Sequence, residues 1–252
     1  MDLVERGSGS TRHPWELARA EFFLRLLDTH DLLAGDCKWL DAGAGDAWFA
    51  GQLRRLLPAH AAVTCWDINY TRDDLETLRE AEGGDGLAFV ATRPTERFDR
   101  VLMLDVIEHI DDDLGFLKAI VDDLLTADGV VLVSVPAYAS LFSSHDHVLR
   151  HRRRYSPGAC RRVLEQAGLV VASSGGLFSS LLPVRAGQVL FERVRSARAD
   201  SSGVGSWQHG RLVTGPITRM LALDGRVSLA LSRHGLSAPG LSYWALCRPS
   251  GP

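Results

Sequence analysis

An acidic residue and two glycines follow the first apolar run of the chain, in the order Asp41, Ala42, Gly43, Ala44, Gly45. Glycines at the point where a strand passes into a helix let backbone N–H groups and a ligand approach closely. Asp67 ends the next apolar run, where a carboxylate can accept hydrogen bonds from both hydroxyls of a ribose. Together these residues predict a pocket for a nucleoside.

The glycine loop departs from the dinucleotide-binding spacing G-x-G-x-x-G, whose third glycine allows tight packing beneath a pyrophosphate. Trp48 stands at that third position, and Asp41 would repel a phosphate. Both features favour a ligand with a cation and no phosphate, such as a sulfonium compound with an ammonium group. A nucleotide-dependent oxidoreductase, which shares the fold, is the alternative enzyme class.

A second candidate site follows the fifth apolar run, where His145, His147 and His151 fall close together. Histidine titrates near neutral pH and can take a proton from a hydroxyl or an amine, and Asp146 could orient a neighbouring ring. His145 is the first candidate base and His151 the second, and Tyr155 completes the candidate catalytic set. The alternative is a hydrogen-bonded scaffold for the loop, formed by His145, Asp146, Arg153, Arg154 and Tyr155.

Short apolar runs alternate with helical patterns along the part of the chain that must position these residues. The runs lie at 37–40, 62–66, 87–90, 101–104 and 130–135. Because they are continuous, they predict strands buried on both faces, and hence parallel neighbours. Helical patterns lie at about 47–57, 71–82 and 112–127, the last ended by Asp128-Gly129. We therefore predict an α/β protein with a Rossmann-like, seven-stranded, mostly parallel sheet and helices on both faces.

Further elements flank this series. A helix over residues 14–33 precedes the sheet, and a helix at 157–167 leads into a strand at 169–174. The final strand lies at 242–247. Helical patterns at roughly 183–198 and 214–234, joined by a linker at 199–206, predict an insertion that covers one end of the sheet before an antiparallel last strand.

We expect a single domain over residues 1–252. Its parts are a helical lid at 1–35, a cofactor-binding core at 36–175, an insertion at 176–240 that shapes the acceptor pocket, and the final strand at 241–252. The 46% of hydrophobic residues suit one globular core. Without a run of about 20 apolar residues or a secretory start, the chain is expected to be cytoplasmic with no membrane span. The four cysteines form no CxxC pair, which favours reduced thiols.

The net charge of −3 conceals an asymmetry between the two parts of the chain. Residues 1–147 contain 13 Lys and Arg against 27 Asp and Glu, whereas residues 148–252 contain 15 against 4. A basic C-terminal part could bind an anionic acceptor, but two parts that complement each other when packed explain the pattern as well.

Residues 40–45, Asp67 and residues 98–110 resemble class I S-adenosylmethionine-dependent methyltransferases of the small-molecule type, over residues 37 to about 157. The resemblance implies S-adenosylmethionine as cofactor and S-adenosylhomocysteine as product. It also implies that the glycine loop binds the methionine part, that Asp67 binds the ribose, and that residues 104–108 line the methionine end. The implied cofactor-binding residues of this core are Asp41, Ala42, Gly43, Gly45, Asp67, Ile68, Asp105, Val106 and His109.

The first helix resembles a subgroup in which an aromatic residue and an arginine close over the cofactor, and Trp15 and Arg19 match them. Arg19 would pair with the cofactor carboxylate; a helix packed on the sheet with a solvated arginine is the alternative. Residues 145–155 resemble the same subgroup. The family often has an acid after the third strand to bind adenine, and this chain has Ala91 and Thr92 there.

Asp105, Glu108 and His109 resemble the trio that binds a divalent ion in ubiquinone-pathway O-methyltransferases and terminal RNA 2'-O-methyltransferases. Many metal-free relatives carry the same residues, so no metal is expected, and a metal-assisted O-methyltransferase is an alternative. A SAM-binding protein without catalysis is another.

The expected acceptor is a small molecule, methylated at O or N or at C, in specialised metabolism. Nucleic acid is not expected, because aromatic residues are not interleaved with the arginines at 150 and 152–154. A homodimer is left open.

Overall fold

The computed structural model describes residues 12–82, 86–194 and 211–251. Its strands are β1 Lys38–Ala42, β2 Ala62–Trp66, β3 Leu87–Val90, β4 Phe98–Leu104, β5 Leu125–Pro136, β6 Leu169–Leu177 and β7 Ser242–Pro249. They form one sheet in the order β3-β2-β1-β4-β5-β7-β6. Strands β1 to β5 pair in parallel, whereas β7 runs antiparallel to both β5 and β6. The predicted Rossmann-like sheet with an antiparallel last strand is confirmed.

Eight helices connect or flank the strands within the described residues. They are α1 Pro14–Thr29, α2 Trp48–Arg54, α3 Arg72–Glu82, α4 Asp113–Ala119, α5 Ser144–Val148, α6 Pro157–Gln166, α7 Leu182–Val194 and α8 Arg211–Arg233. Residues typical of helix N-termini mark the start of several of these helices. Pro14 and Pro157 stand in the first turns of α1 and α6, and the Ser156 hydroxyl accepts a hydrogen bond from the Ala159 N–H at 3.2 Å.

The segment after α4 differs from the predicted helix at 112–127. A π-helical turn, Ile120–Leu124, follows α4, and β5 begins at Leu125, so that Asp128 and Gly129 lie inside a strand. Leu125 pairs with Phe98 of β4, and both side chains are buried. Pairing with a strand that is distant in sequence therefore overrides the local helical pattern.

Two hydrophobic cores cover the two faces of the sheet, because neighbouring strand residues point to opposite sides. Trp39 and Leu132 belong to the core shared with α1, α2 and α8. Leu40 and Val131, their neighbours in sequence, belong to the core shared with α4 and α6. Helices on both faces were predicted, and the two cores account for the continuous apolar runs of the central strands.

The two helices of the insertion pack in different places. Helix α8 packs along α1 and β6, and its Ser228 hydroxyl accepts a hydrogen bond at 3.4 Å from the indole N–H of Trp244 in β7. Helix α7 instead contacts the segment after β5 through Arg185, whose Nη2 lies 2.6 Å from Ser143 Oγ. Thus α7 is the part of the insertion that lies beside the predicted acceptor segment.

Three expectations remain: the linker of the insertion, the absence of a membrane span, and the division of the chain into parts. The predicted linker at 199–206 lies outside the described residues. Across the described ranges, no helix has both the length and the hydropathy that spanning a bilayer requires. The division into lid, core and insertion stays a prediction.

Candidate active site

The glycine loop after β1 is shaped by left-handed backbone and a close contact. Gly43 has φ +74° and Gly45 has φ +52°. The Gly43 N–H donates to the Trp66 carbonyl at 2.7 Å, and a Cβ at Gly43 would lie 2.7 Å from Val106 Cγ2. Glycine is therefore required at position 43 both by conformation and by space. The contact also brings the loop after β1 against the segment after β4.

Asp67 directly follows β2 and fixes the other side of the glycine loop. Its Oδ2 accepts a hydrogen bond from the Gly45 N–H at 3.1 Å, and its Oδ1 accepts from the Asn69 backbone and side-chain amides at 2.9 and 3.0 Å. The carboxylate is almost buried, whereas the neighbouring Ile68 is 76% exposed at the rim. The structure thus brings Asp67 and the glycine loop together, as the order of the strands predicted.

Helix α1 closes the cleft above this loop. Arg19 Nη1 lies 2.7 Å from Asp105 Oδ2, and the Arg19 guanidinium lies 5.6 Å from the centroid of the Trp15 ring. The cavity between α1 and the glycine loop is about 50 Å³ and is lined by Trp15, Arg19, Asp41 and Gly43 among others. That volume holds a few water molecules and is smaller than a nucleoside.

A second ion pair holds the start of α1 to the same loop. Arg12 Nη2 lies 2.6 Å from Asp46 Oδ2, and the Arg12 guanidinium lies 4.3 Å from the centroid of the Trp48 ring. Trp48 is the residue that replaces the third glycine of a dinucleotide site. In this structure it provides a cation–π surface for the helix that covers the cleft.

Asp41 lies at the end of β1, on the floor of the cleft, and is 4% exposed. Burial raises the pKa of this carboxyl to about 6, although the nearby Arg19 opposes the shift. A cationic ligand group in the cleft would favour the ionised form, which agrees with the predicted role of Asp41 toward an ammonium or sulfonium group.

The segment after β4 has a left-handed residue at its start. Asp105 has φ +59°, accepts a hydrogen bond from Ser134 Oγ at 3.0 Å, and donates its own N–H to the Ser134 carbonyl at 2.9 Å. Aspartate tolerates this conformation better than most residues. The turn directs Val106 to the glycine loop and is followed by a single 3-10 turn, Ile107–His109.

Asp146 is the centre of the predicted acceptor segment and is fully buried. Its Oδ1 lies 2.8 Å from His151 Nδ1 and accepts from Arg154 Nε at 2.7 Å, and Oδ2 accepts from the Ser143 N–H at 3.0 Å. Burial alone would raise the pKa of this carboxyl, but the hydrogen bonds from His151 and Arg154 lower it to about 2. Because the Asp146 carboxylate can only accept, the neutral tautomer of His151 that fits this contact has its proton on Nδ1 and a lone pair on Nε2.

The other two predicted catalytic residues make different contacts from the Asp146–His151 pair. The Tyr155 hydroxyl donates to Asp113 Oδ2 at 2.5 Å, and burial and this hydrogen bond raise the pKa of Tyr155. His145 lies in α5, and burial, followed by the positive charge of Arg185, lowers its pKa. Asp146, Arg154 and Tyr155 thus form much of the scaffold that was the alternative interpretation of this segment.

Three potential metal ligands meet beneath the acceptor segment. Ligand atoms of Glu108, His109 and His151 all lie within 4.8 Å of one another, and the rings of His109 and His151 are 4.9 Å apart. Glu108 is fully buried, and within the described chain neither of its carboxylate oxygens has a hydrogen-bond partner. Burial and the charge of Asp105 raise the pKa of Glu108. The sequence had suggested Asp105 as the third ligand beside Glu108 and His109. In the structure Asp105 pairs with Arg19, and His151 takes the third position.

Arg185 contacts the acceptor segment from α7 and was not predicted from the sequence as a site residue. Its Nη2 donates to Ser143 Oγ at 2.6 Å and lies 3.7 Å from Asp146 Oδ2. No motif surrounds Arg185, and it lies 39 positions after Asp146 in the sequence. The only signal in the sequence was the arginine content of the insertion.

The match to a family model decides the family. The model, described as a methyltransferase domain, matches residues 13–174. This chain belongs to that methyltransferase family. The predicted class I S-adenosylmethionine-dependent methyltransferase is thereby confirmed, and S-adenosylmethionine is the cofactor of the family.

One curated relative of this methyltransferase is a ubiquinone biosynthesis O-methyltransferase of Dinoroseobacter shibae. It is 28% identical over 167 residues, which are 55% of this chain and 62% of the relative. The match therefore spans less than two thirds of the relative's length.

Solved structures resemble the methyltransferase in fold. An O-methyltransferase from a trans-AT polyketide synthase of Brevibacillus brevis, in complex with S-adenosylhomocysteine, has a TM-score of 0.52, 14% identity, and coverage of 93% of this chain and 72% of its own. The cyclase SpnF has a TM-score of 0.54 at 14% identity, with coverage of 92% and 82%. Because a cyclase shares the fold, the acceptor chemistry must be argued from the site.

Proposed function

We propose that this methyltransferase transfers the methyl group of S-adenosylmethionine to an oxygen or nitrogen atom of a small-molecule acceptor, with His151 as the general base. The observation that carries the proposal is the contact of the Asp146–His151 pair with His109, three residues after Val106 at the predicted methionine end of the cofactor. The cofactor residues proposed around the methionine part are Trp15, Arg19, Asp41, Ala42, Gly43, Gly45, Asp105, Val106 and His109; Asp67 and Ile68 are proposed for the ribose side.

The reaction is a direct displacement at the methyl carbon. A lone pair of the acceptor atom forms the new bond to carbon, the electrons of the S–CH₃ bond go to sulfur, and S-adenosylhomocysteine leaves. A hydroxyl or protonated amine acceptor loses its proton to His151 Nε2, since Asp146 holds Nδ1. This geometry favours His151 over His145, whose pKa is lowered by burial.

Calorimetric titration with S-adenosylhomocysteine, alongside NAD, tests the cofactor. We expect micromolar affinity for the former alone, strongly reduced in Asp67→Ala, because this change removes the carboxylate beside the glycine loop. Preference for NAD would support the oxidoreductase alternative instead. Asp73→Ala, an exposed acid in α3, is the matched control.

A screen of phenols, catechols and amines, read out by release of S-adenosylhomocysteine, then tests the base. With an acceptor found, His151→Ala should lower kcat by about 10²-fold or more with little change in the S-adenosylhomocysteine Kd. His147→Ala, at an exposed histidine of the same segment, should stay near wild type. If His151→Ala keeps the wild-type kcat, His151 is not the general base. Binding of the cofactor product without turnover of any acceptor would favour a non-catalytic SAM-binding protein.

A metal-assisted O-methyltransferase is a second candidate function, favoured by one observation. Both oxygens of Glu108 are buried without a hydrogen-bond partner among the described residues, close to the imidazoles of His109 and His151. One carboxylate and two imidazoles suit a divalent ion such as Mn²⁺ or Zn²⁺. Such an ion would polarise an acceptor hydroxyl as a Lewis acid, and His151 would then be a ligand and not the base.

Elemental analysis and calorimetry distinguish these two roles of His151. If the metal site exists, chelated protein will bind Mn²⁺ or Zn²⁺ with about one ion per chain, and Glu108→Gln will not. Asp111→Asn, an exposed acid two residues beyond the cluster, should bind the ion like wild type. Absence of binding by the wild-type chain would leave His151 as the base. A cytoplasmic location, a homodimer and a role in specialised metabolism stay predictions.

A further inference from the structure

The insertion concentrates the exposed apolar side chains of the molecule. Among large hydrophobic residues that the structure describes as exposed, eight of twelve lie between positions 182 and 236. Four of these are on α8: Val213, Met220, Leu223 and Val227, each between 46% and 62% exposed. Scattered exposed apolar residues are ordinary on protein surfaces, whereas a contiguous apolar patch marks an interaction surface.

The spacing of these residues places them on one side of α8. At 3.6 residues per turn, positions 213, 220, 223 and 227 fall within an arc of about 80°. The buried side of the helix, with Leu221, Gly225, Ser228 and Leu229, faces α1 and the sheet. We call the exposed side, with its apolar residues and adjoining arginines, the outer face of α8.

Positive charge borders the apolar residues of the outer face. Arg219, Arg226 and Arg233 are exposed and recur every seven residues, so they form a row beside the apolar arc. The single acidic residue of α8, Asp224, is turned toward Ser180, whose N–H and hydroxyl both donate to it at 3.1 and 3.0 Å. At 3.6 residues per turn Asp224 falls about 20° beyond Val213, on the side of the apolar arc opposite the arginine row, so the row itself contains no carboxylate.

A groove between α1 and α8 continues this surface. Its volume is about 510 Å³, and Arg219, Leu223 and Arg226 are among its lining residues. Glu21, its only carboxylate, lies 3.1 Å from Arg226 and 3.4 Å from Arg25. The charge at the rim therefore stays positive, and the groove offers a recess for an anionic headgroup beside the apolar arc.

We propose that the outer face of α8 docks onto an anionic lipid surface, with Met220, Leu223 and Val227 among the upper acyl chains and the arginines at the headgroup phosphates. An amphipathic helix with arginines beside apolar residues binds membranes in this way. A second copy of the chain fits less well, because antiparallel pairing of two outer faces would place arginine row against arginine row. The C-terminal part of the sequence has an excess of basic residues, which also favours an anionic surface as the partner.

Flotation of the full chain with phosphatidylcholine vesicles, with and without phosphatidylglycerol, tests the proposal. Wild-type protein should float with the anionic vesicles and less with neutral ones, and added salt should weaken binding. Arg219→Glu with Arg233→Glu should reduce partitioning by about fivefold or more for each arginine, and Leu223→Asp by about tenfold or more.

Matched controls lie on surfaces away from α8. Leu56→Asp changes a leucine that is 53% exposed at the end of α2, and Arg72→Glu changes an exposed arginine in α3; both should float like wild type. Far-UV circular dichroism and S-adenosylhomocysteine affinity, unchanged in the α8 variants, would show that they fold.

Three outcomes would overturn the proposal: no flotation of wild-type protein with either vesicle, equal flotation of the α8 variants, or equal loss in the controls. If wild-type protein fails to float and is a dimer by light scattering that Leu223→Asp dissociates, the face is an interface between copies. If it neither floats nor dimerises, a protein partner remains for this face and the lipid surface is excluded.

Discussion

Arg19 of α1 and Asp105 after β4 form an ion pair, with Nη1 and Oδ2 2.7 Å apart. Both residues are proposed to bind the methionine end of the cofactor, so each satisfies the other's charge while the cleft is closed. The cofactor carboxylate would have to replace Asp105 as the partner of Arg19. Asp105 and the cofactor carboxylate would therefore compete for the same guanidinium.

Arg19→Ala should weaken S-adenosylhomocysteine binding by about tenfold or more, because a charge-assisted hydrogen bond contributes about 1.5 to 3 kcal/mol. Calorimetry measures the Kd. Arg25→Ala, which removes an exposed arginine from the same helix, is the control and should change the Kd little. Full affinity in Arg19→Ala would mean that the arginine serves only to close α1 over the sheet.

Gly43→Ala should destabilise the fold and prevent cofactor binding, because the new Cβ would lie 2.7 Å from Val106 Cγ2 at φ +74°. The left-handed backbone alone costs a non-glycine residue about 1 to 2 kcal/mol. Thermal unfolding should show a Tm several degrees lower. In Gly187→Ala no atom lies within 4 Å of the new Cβ, so its Tm should match wild type or exceed it. Adding Val106→Ala to Gly43→Ala should recover the part of the lost Tm that is due to the clash with Val106 Cγ2.

Asp41→Asn should stabilise the protein without cofactor at alkaline pH. The folded protein keeps a proton on Asp41 up to about pH 6, whereas the ordinary pKa is 3.8, so the free energy of unfolding falls as pH rises through this interval. The full difference corresponds to about 3 kcal/mol. In urea unfolding, the advantage of the variant should be larger at pH 8 than at pH 5 by about 1 kcal/mol.

Asp73→Asn, at an exposed carboxyl of α3, should show the same difference from wild type at both pH values. An Asp41→Asn advantage that does not grow with pH would mean that the carboxyl is already ionised at pH 5. If the affinity of wild type for S-adenosylhomocysteine increases above pH 6, the Asp41→Asn variant should not show that increase.

Elements defined by short-range signals were predictable from the sequence. β2 and β3 have the bounds of their apolar runs, 62–66 and 87–90, since turn residues flank continuous apolar residues that suit a buried strand. The start of β5 was not predictable, because Leu125 is held by pairing with Phe98, far away in sequence. Local propensity cannot report such a partner.

The candidate site divides in the same way. The contact of Asp67 with Gly45 follows from two parallel neighbours ending at one edge of the sheet, which the sequence could indicate. The cluster of Glu108, His109 and His151 could not be derived, because helical spacing pointed to Asp105 while the chain forms only a 3-10 turn there. The approach of Arg185 depended on how the insertion folds back.

Asp146→Asn should be among the most destabilising single changes in the acceptor segment. Asp146 is fully buried and binds His151 and Arg154, whose side chains are 8% and 7% exposed, so the change leaves a buried arginine without its counter-charge. Breaking one partner of a buried ion pair costs about 3 to 5 kcal/mol. Urea unfolding at pH 7 measures the difference in the free energy of unfolding.

The pH dependence of this effect has the opposite sign to that of Asp41. Because the folded pKa of Asp146 is lowered to about 2, its ionised form stabilises the fold above about pH 4, and this contribution is lost as pH falls toward 2. The gap between wild type and Asp146→Asn should therefore narrow on acidification. Asp111→Asn, which removes an exposed acid facing Arg152 at 3.4 Å, should cost less than about 1 kcal/mol at any pH. Equal stability of wild type and Asp146→Asn at pH 7 would show that the segment does not depend on this carboxylate.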